Sequence, residues 1–337
     1  MKHWQRIEAT IAGEQTDQVP VALWQHFPED DRDVGKLVKH TLAWQDKWNF
    51  DLVKFMPSGT YGVEDWGAIT AYNGTPNGAR TVVKSVVEHP EDWLKLPFLN
   101  VKAGCYAEQN TAIQQVARTF AGKTPLLQTV FSPLTTARKL AGDKVFTDLR
   151  CSPDALKAGL RVITDVTIEF ALAALESGAH GIFLATQVAS TRLLSEEEYA
   201  EFGRPYDLEI LAALKGKAKL NMLHAHGDDI MFSMLAAYPV DMLNWHDRTT
   251  QPNLRAAAKL FPKALVGGLN EHVTVLNGDI EAIESEVNDA IEQTEGRRLI
   301  IAPGCVLPLA ISDKEIRAIL NAANAKSRLK QPALLPL

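Results

Sequence analysis

Residues 154–185, DALKAGLRVITDVTIEFALAALESGAHGIFLA, contain one full cycle of the pattern that decides the fold. Ala155, Leu160, Ile163, Val166, Ile168 and Leu172 recur at helical spacing and mark the buried side of a long helix, Asp154 to Ser177. The period then changes. Ala179 to Ala185 is a short apolar run of strand length.

The same alternation extends in both directions. Seven further runs read as strands: Val19 to Trp24, Asp51 to Met56, Pro125 to Phe131, Ala218 to His224, Val240 to Trp245, Ala264 to Gly268 and Arg298 to Ala302. Helical patterns lie between them. Ser195 to Leu214 opens on Ser195-Glu196-Glu197-Glu198, a capping-box arrangement, and Asp279 to Glu292 and Asp313 to Ala325 follow. Eight strands alternating with helices predict an α/β (β/α)8 TIM barrel. An open doubly wound sheet shares the local pattern, but no Gly-rich dinucleotide turn follows the first run. The long interval from Pro57 to Thr124 then reads as an insertion after strand 2, with a Gly-rich loop, a hairpin and a helix from Ala107 to Phe120. No linker-like stretch interrupts the chain, so residues 1–330 read as one domain and 331–337 as an extended tail.

Composition narrows the class. The 337 residues are 46% hydrophobic and 23% charged, with a net charge of −6 and no basic block, which argues against a nucleic-acid partner. Three cysteines, Cys105, Cys151 and Cys305, are too few and too odd in number for a disulfide framework. Residues 1–8 lack the apolar stretch of a signal peptide, and no run reaches the roughly 18 apolar residues of a membrane span. A cytoplasmic setting is the expectation.

Barrel sites form where strands end. The strand ends here carry Gln25 and His26, Pro57 and Ser58, Ser132, Thr186 and Gln187, His224 and His226, His246 and Asp247, Asn270 and His272, and Cys305. Five of the nine histidines fall at these ends, which favours a functional cluster. His224-Ala225-His226 places two imidazoles on one face of an extended strand. With Cys305 they make a ligand set suited to Zn²⁺ that leaves a fourth position open. Each residue also has a structural reading: core histidines bonded to backbone, a buried thiol, a surface His246–Asp247 pair, and amides that satisfy loops.

Gly178-Ala179-His180-Gly181-Ile182, Glu201-Phe202-Gly203-Arg204-Pro205-Tyr206, Gln18-Val19-Pro20-Val21 and Val266-Gly267-Gly268-Leu269-Asn270 together resemble the uroporphyrinogen decarboxylase superfamily. The resemblance spans most of the chain and implies a (β/α)8 barrel. True decarboxylases place arginines in the first loop and a histidine after the eighth strand. Here Gln25 and Glu29 stand in that loop, Glu29-Asp30-Asp31 would repel a polyanion, and Cys305 replaces the histidine. The zinc-dependent methyltransferase branch, similar to methylcobamide:coenzyme M methyltransferase, carries His-x-Cys and a later Gly-Cys. His224 and Cys305 match, and His226 stands in for the first cysteine. That branch implies a corrinoid on a separate protein, and the family a homodimer.

The leading expectation is zinc-dependent alkyl transfer to a small thiol, with metal ligands His224, His226 and Cys305. His246, Asp247 and Gln187 are the candidate catalytic or orienting groups. Trp24, Gln25, His26, Met56, Phe131, Thr186 and Asn270 are the candidate substrate contacts. Alternatives are a uroporphyrinogen decarboxylase-type decarboxylase of porphyrin biosynthesis, a metal-free decarboxylase or lyase on another small carboxylate using Gln187, His246 and Arg192, and a non-enzymatic barrel that binds a small ligand or a tetrapyrrole.

Overall fold

In a computed structural model of the chain, residues 1–329 are described, and the expected tail at 331–337 lies outside them. Seven parallel strands form one curled sheet in the order β1-β4-β5-β6-β7-β8-β9. They are β1 (Val53–Phe55), β4 (Leu126–Phe131), β5 (Gly181–Thr186), β6 (Met222–Ala225), β7 (Met242–Trp245), β8 (Ala264–Leu269) and β9 (Leu299–Pro303). The remaining two, β2 (Ile69–Ala71) and β3 (Thr81–Lys84), pair as a separate antiparallel hairpin.

The first apolar run differs from expectation. Val19 to Trp24 contributes only an isolated parallel bridge, Val21 to Ile301. Its backbone nevertheless touches both edges of the sheet. Ala22 N–H donates to Ile301 O at 2.9 Å, Ile301 N–H to Pro20 O at 2.9 Å, and Asp51 N–H to Val21 O at 3.0 Å. Two features prevent a regular ladder. Pro20 has no N–H to give, and the N–H of Val21 is taken by the Asp51 carboxylate at 3.1 Å.

Alternation along the strands sorts the core into two layers. Ala22, Trp24, Leu127, Phe183, Ala185, Met222, Met242, Ala264, Val266, Ile300 and Ala302 pack together inside the curl. Their neighbours in sequence, among them Ile182, Leu184, Leu223, Leu243, Leu265 and Ile301, face the helices. His224 therefore continues the inward row of Met222. Strands approach closely where side chains are absent: a Cβ at Gly181 would sit 1.6 Å from Leu220 O.

The helix of the opening stretch runs Pro153–Glu176, with Leu160, Ile163 and Val166 buried as read. Ala155, Ile168 and Leu172 flank that face and are only partly covered. The predicted Ser195–Leu214 helix is two, Glu196–Phe202 and Arg204–Leu214. The break falls at Gly203, whose absent Cβ would lie 2.4 Å from the Tyr199 ring, just before Pro205. The capping box forms, with Ser195 Oγ accepting from Glu198 N–H and Glu198 Oε2 from Ser195 N–H. Between β1 and β4 lie the hairpin and the helix Gly104–Phe120. That helix packs against the helices Val34–Trp48 and Pro153–Glu176, the position of an ordinary crossover helix. No described helix is long and apolar enough to cross a membrane.

Candidate active site at the strand ends

The C-terminal ends of the strands open onto a cavity of about 220 Å³. His224, His226 and Cys305 form part of its wall, and their ligand atoms all lie within 4.8 Å of one another. Two segments some eighty residues apart thus converge. β6 presents His224 and, two residues on, His226. The turn after β9 presents Cys305.

The ring orientation of His224 is determined by a neighbour that sequence reading missed. Asn244 is fully buried on β7, beside His224 in register. Its Nδ2 donates to Val266 O at 2.9 Å and to Pro303 O at 3.0 Å. Its Oδ1 must therefore face His224 Nδ1, 2.7 Å away, and accept a proton from it. Nε2 of His224 keeps its lone pair, as a metal ligand requires. His226 Nδ1 is likewise engaged, 3.2 Å from His246 Nε2. His246 Nδ1 lies 3.0 Å from Glu271 Oε1.

Electrostatics suit a cation. Burial, then the neighbouring His226 and His246, holds His224 well below the usual imidazole range. Burial and His246 bring His226 down to about 4. Both rings are neutral donors at pH 7. Burial, with the Glu271 charge, pushes the Cys305 thiol up to about 12, while Lys54 opposes. A bound cation reverses that logic, because a coordinating thiol ionises.

The rest of the wall carries three basic side chains. Lys54, on β1, is buried, with Nζ 2.6 Å from Met56 Sδ and 4.3 Å from the Phe183 ring centroid. Burial lowers its pKa to about 7, the Cys305 thiol pulling weakly the other way. Lys139 donates to Gly59 O at 2.6 Å and lies over the Phe131 ring, and burial lowers its pKa as well. Arg80 donates to Pro28 O and Asp31. No carboxylate is among the lining residues.

The expected contacts divide. His26, Met56, Phe131 and Gln187 line the cavity. Trp24 stands behind it, donating to Cys305 O and facing Lys54. Gln25 lies outside the lining set. Thr186 turns its hydroxyl to Tyr199 in the buried layer, 3.2 Å away, because it falls on the outward row of β5. Asn270 spends its Oδ1 on the N–H groups of His272 and Val273 in its own turn. Asp247 is buried on the N–H of Gly268 at 2.9 Å rather than facing the cavity. The Asp30 and Asp31 charges do not repel a ligand there. Asp30 pairs with Lys36 and His40, and Asp31 with Arg80. Arg192 is committed to Asp228 and Asp229.

Lys54 was legible in principle: a charge between Val53 and Phe55 sits on the row of Leu52 and Met56. Asn244 follows Met242 on an inward row in the same way. Glu271 stands between Asn270 and His272 at a strand end, whereas Lys139 carried no such signal.

Known proteins resemble the chain over most of its length. The chain is 26% identical to the methylcobamide:CoM methyltransferase MtbA of Methanosarcina mazei over 80% of its length and 79% of the relative's. It is 24% identical to the protein of that name from Methanosarcina acetivorans over 83% and 81%. A solved methyltransferase from Methanosarcina mazei superimposes with a TM-score of 0.85 at 21% identity, covering 97% of this chain and 99% of that one. A B12-independent methionine synthase from Shewanella sp. W3-18-1 shares the fold more distantly, with a TM-score of 0.58 at 12% identity, covering 93% and 97%. The family model described as Uroporphyrinogen decarboxylase (URO-D) matches residues 2–325, and the chain belongs to that family.

Proposed function

We propose that this protein is a methyltransferase that moves a methyl group from a corrinoid, carried by a separate protein, to a small anionic thiol, with zinc at His224, His226 and Cys305. The carrying observation is the convergence of those three groups, His224 already held in a metal-binding tautomer, on the wall of a cavity that also carries Lys54, Lys139 and Arg80. The methylcobamide:CoM methyltransferases supply the substrate classes by similarity. We read the sheet as a (β/α)8 barrel whose first strand is the bridge segment at Val21, and residues 1–330 as one domain with additional material between Pro57 and Ala103. A homodimer and a cytoplasmic location belong to the same reading.

Zinc, when bound, would supply a thiolate from a substrate thiol that is only a few per cent ionised by itself at neutral pH. The chain's own residues do the rest. Lys54 and Lys139 draw the acceptor's anionic end and leave its sulfur toward the ligand set. Gln187 and His26 offer polar contacts on the wall. Phe131, Met56 and Phe183 keep water from the reacting sulfur. A tetrapyrrole substrate fits poorly, since about 220 Å³ lies below the usual range even for drug-sized ligands.

Purified protein should hold about one zinc per chain and transfer methyl from methylcobalamin to a sulfonate- or carboxylate-bearing thiol. His224→Ala should lose both. Trace metal only in the reduced wild type, or transfer undiminished by the substitution, would refute the assignment.

A further inference from the structure

One carboxylate reaches both halves of the ligand set. Glu271 follows β8 and is 3% exposed. Its Oε2 accepts from the N–H of Gly304 at 3.0 Å, the residue before Cys305. Its Oε1 lies 3.0 Å from His246 Nδ1, at hydrogen-bonding distance though off the ideal line of approach. His272 Nε2 is farther from the same oxygen, at 3.7 Å, on a largely exposed side chain. Beyond His246, the Nε2 of that ring meets His226 Nδ1. Gly304 makes the packing feasible, because a Cβ there would sit 2.8 Å from His246 Cα.

The direction of the protons along this row matters. Oε2 of Glu271 accepts a backbone N–H and its Oε1 faces a ring nitrogen, the surroundings of an ionised carboxylate that only accepts. His246 must then carry its proton on Nδ1. A neutral His246 has a lone pair on Nε2, which accepts from His226 Nδ1–H. Only in that arrangement is His226 Nε2 free to ligate.

We propose that Glu271 is a positioning residue that, through His246, dictates which nitrogen of His226 carries the lone pair, while its second oxygen anchors the Cys305 turn. This rests on reading His224, His226 and Cys305 as a metal site. The carboxylate thereby sets the competence of two ligands it does not touch.

A glutamine at 271 should be worse than an alanine. The amide oxygen takes the Gly304 N–H, and the amide nitrogen then donates to His246 Nδ1. That reverses His246, which donates from Nε2 to His226 Nδ1 and leaves the proton of His226 on Nε2. Glu271→Ala loses the anchor but imposes no wrong tautomer.

Zinc affinity of the full chain, measured by competition with a chromogenic chelator, should fall at least tenfold in Glu271→Gln and by less in Glu271→Ala. A packing role predicts the opposite order, since glutamine preserves shape. An unchanged affinity in Glu271→Gln, or a larger loss in Glu271→Ala, would overturn the proposal. So would two zinc ions per chain with one lost in either variant, which would make Glu271 a ligand. Long-range ¹⁵N–¹H spectra of wild-type zinc-loaded protein need no variant to fold. They should show His246 protonated on Nδ1 only, and a proton on its Nε2 would refute the inference. Wild type without zinc would instead refute the metal site itself.

Discussion

Replacing Lys54 by methionine should stabilise the metal-free protein at neutral pH and weaken its hold on an anionic acceptor. Lys54 is 7% exposed, and its Nζ meets a thioether and two aromatic faces. Burial lowers its pKa from 10.5 to about 7. At about 1.4 kcal/mol per pH unit, that drop has an upper bound of about 5 kcal/mol. Between pH 7 and 10.5 the unfolded chain keeps this proton and the folded chain releases it. Wild-type stability therefore rises with pH across that window. Below pH 7 both states are charged, and the folded state carries the full desolvation cost. Methionine follows the same aliphatic path without a charge. Urea denaturation at pH 7 should show Lys54→Met more stable by about 2–5 kcal/mol, the gap narrowing by pH 9. Staying below pH 9 keeps Cys305 out of the comparison, since its raised pKa acts with the opposite sign above its ordinary value. The same variant should raise KM about tenfold or more for a thiol bearing a sulfonate, the loss of one charge-assisted contact, with little change for a neutral thiol. A variant that is no more stable at pH 7, or a gap that stays constant to pH 9, would refute the reasoning.

Asn244→Ala should weaken zinc binding about 10–100-fold, since nothing then orients His224. It should also lower stability by roughly 2–4 kcal/mol, because Val266 O and Pro303 O lose their donor. Asn244→Asp separates the two effects: the carboxylate still accepts from His224 Nδ1, so affinity holds in chelator competition while the urea midpoint drops. Asp207 is buried beneath Tyr199 and Tyr238, which donate to its Oδ2 at 2.7 and 3.0 Å. Burial raises its pKa to about 7, the two hydroxyls opposing. The folded state then holds a proton that the unfolded chain releases near pH 4, so this residue makes stability fall as pH rises from about 4 to 7. Asp207→Asn should remove that slope, about 2.5 kcal/mol between pH 5 and 7.5, in urea titrations at those two pH values.

The local chemistry of the chain is enough to reveal the repeating unit and three candidate ligands. Period-3.6 and period-2 patterns report which side of an element is buried, and that is why Pro153–Glu176 and the inward rows of β5 to β9 are readable in one dimension. A His-x-His pair on a strand necessarily shares a face, so His224 and His226 need no third dimension to be associated. Edge geometry is different. Whether Val19 to Trp24 makes a ladder depends on where the Asp51 carboxylate goes, a contact across thirty residues. Thr186, Asn270 and Asp247 occupy strand ends as expected, yet Thr186 and Asp247 turn to buried partners and Asn270 to the N–H groups of its own turn, a choice that only packing makes. Tertiary structure alone decided what the second layer of the site does. Asn244, Glu271, Lys54 and Lys139 act through partners on other strands, and the orientation of a ring or the cost of a buried charge depends on the surroundings that folding assembles.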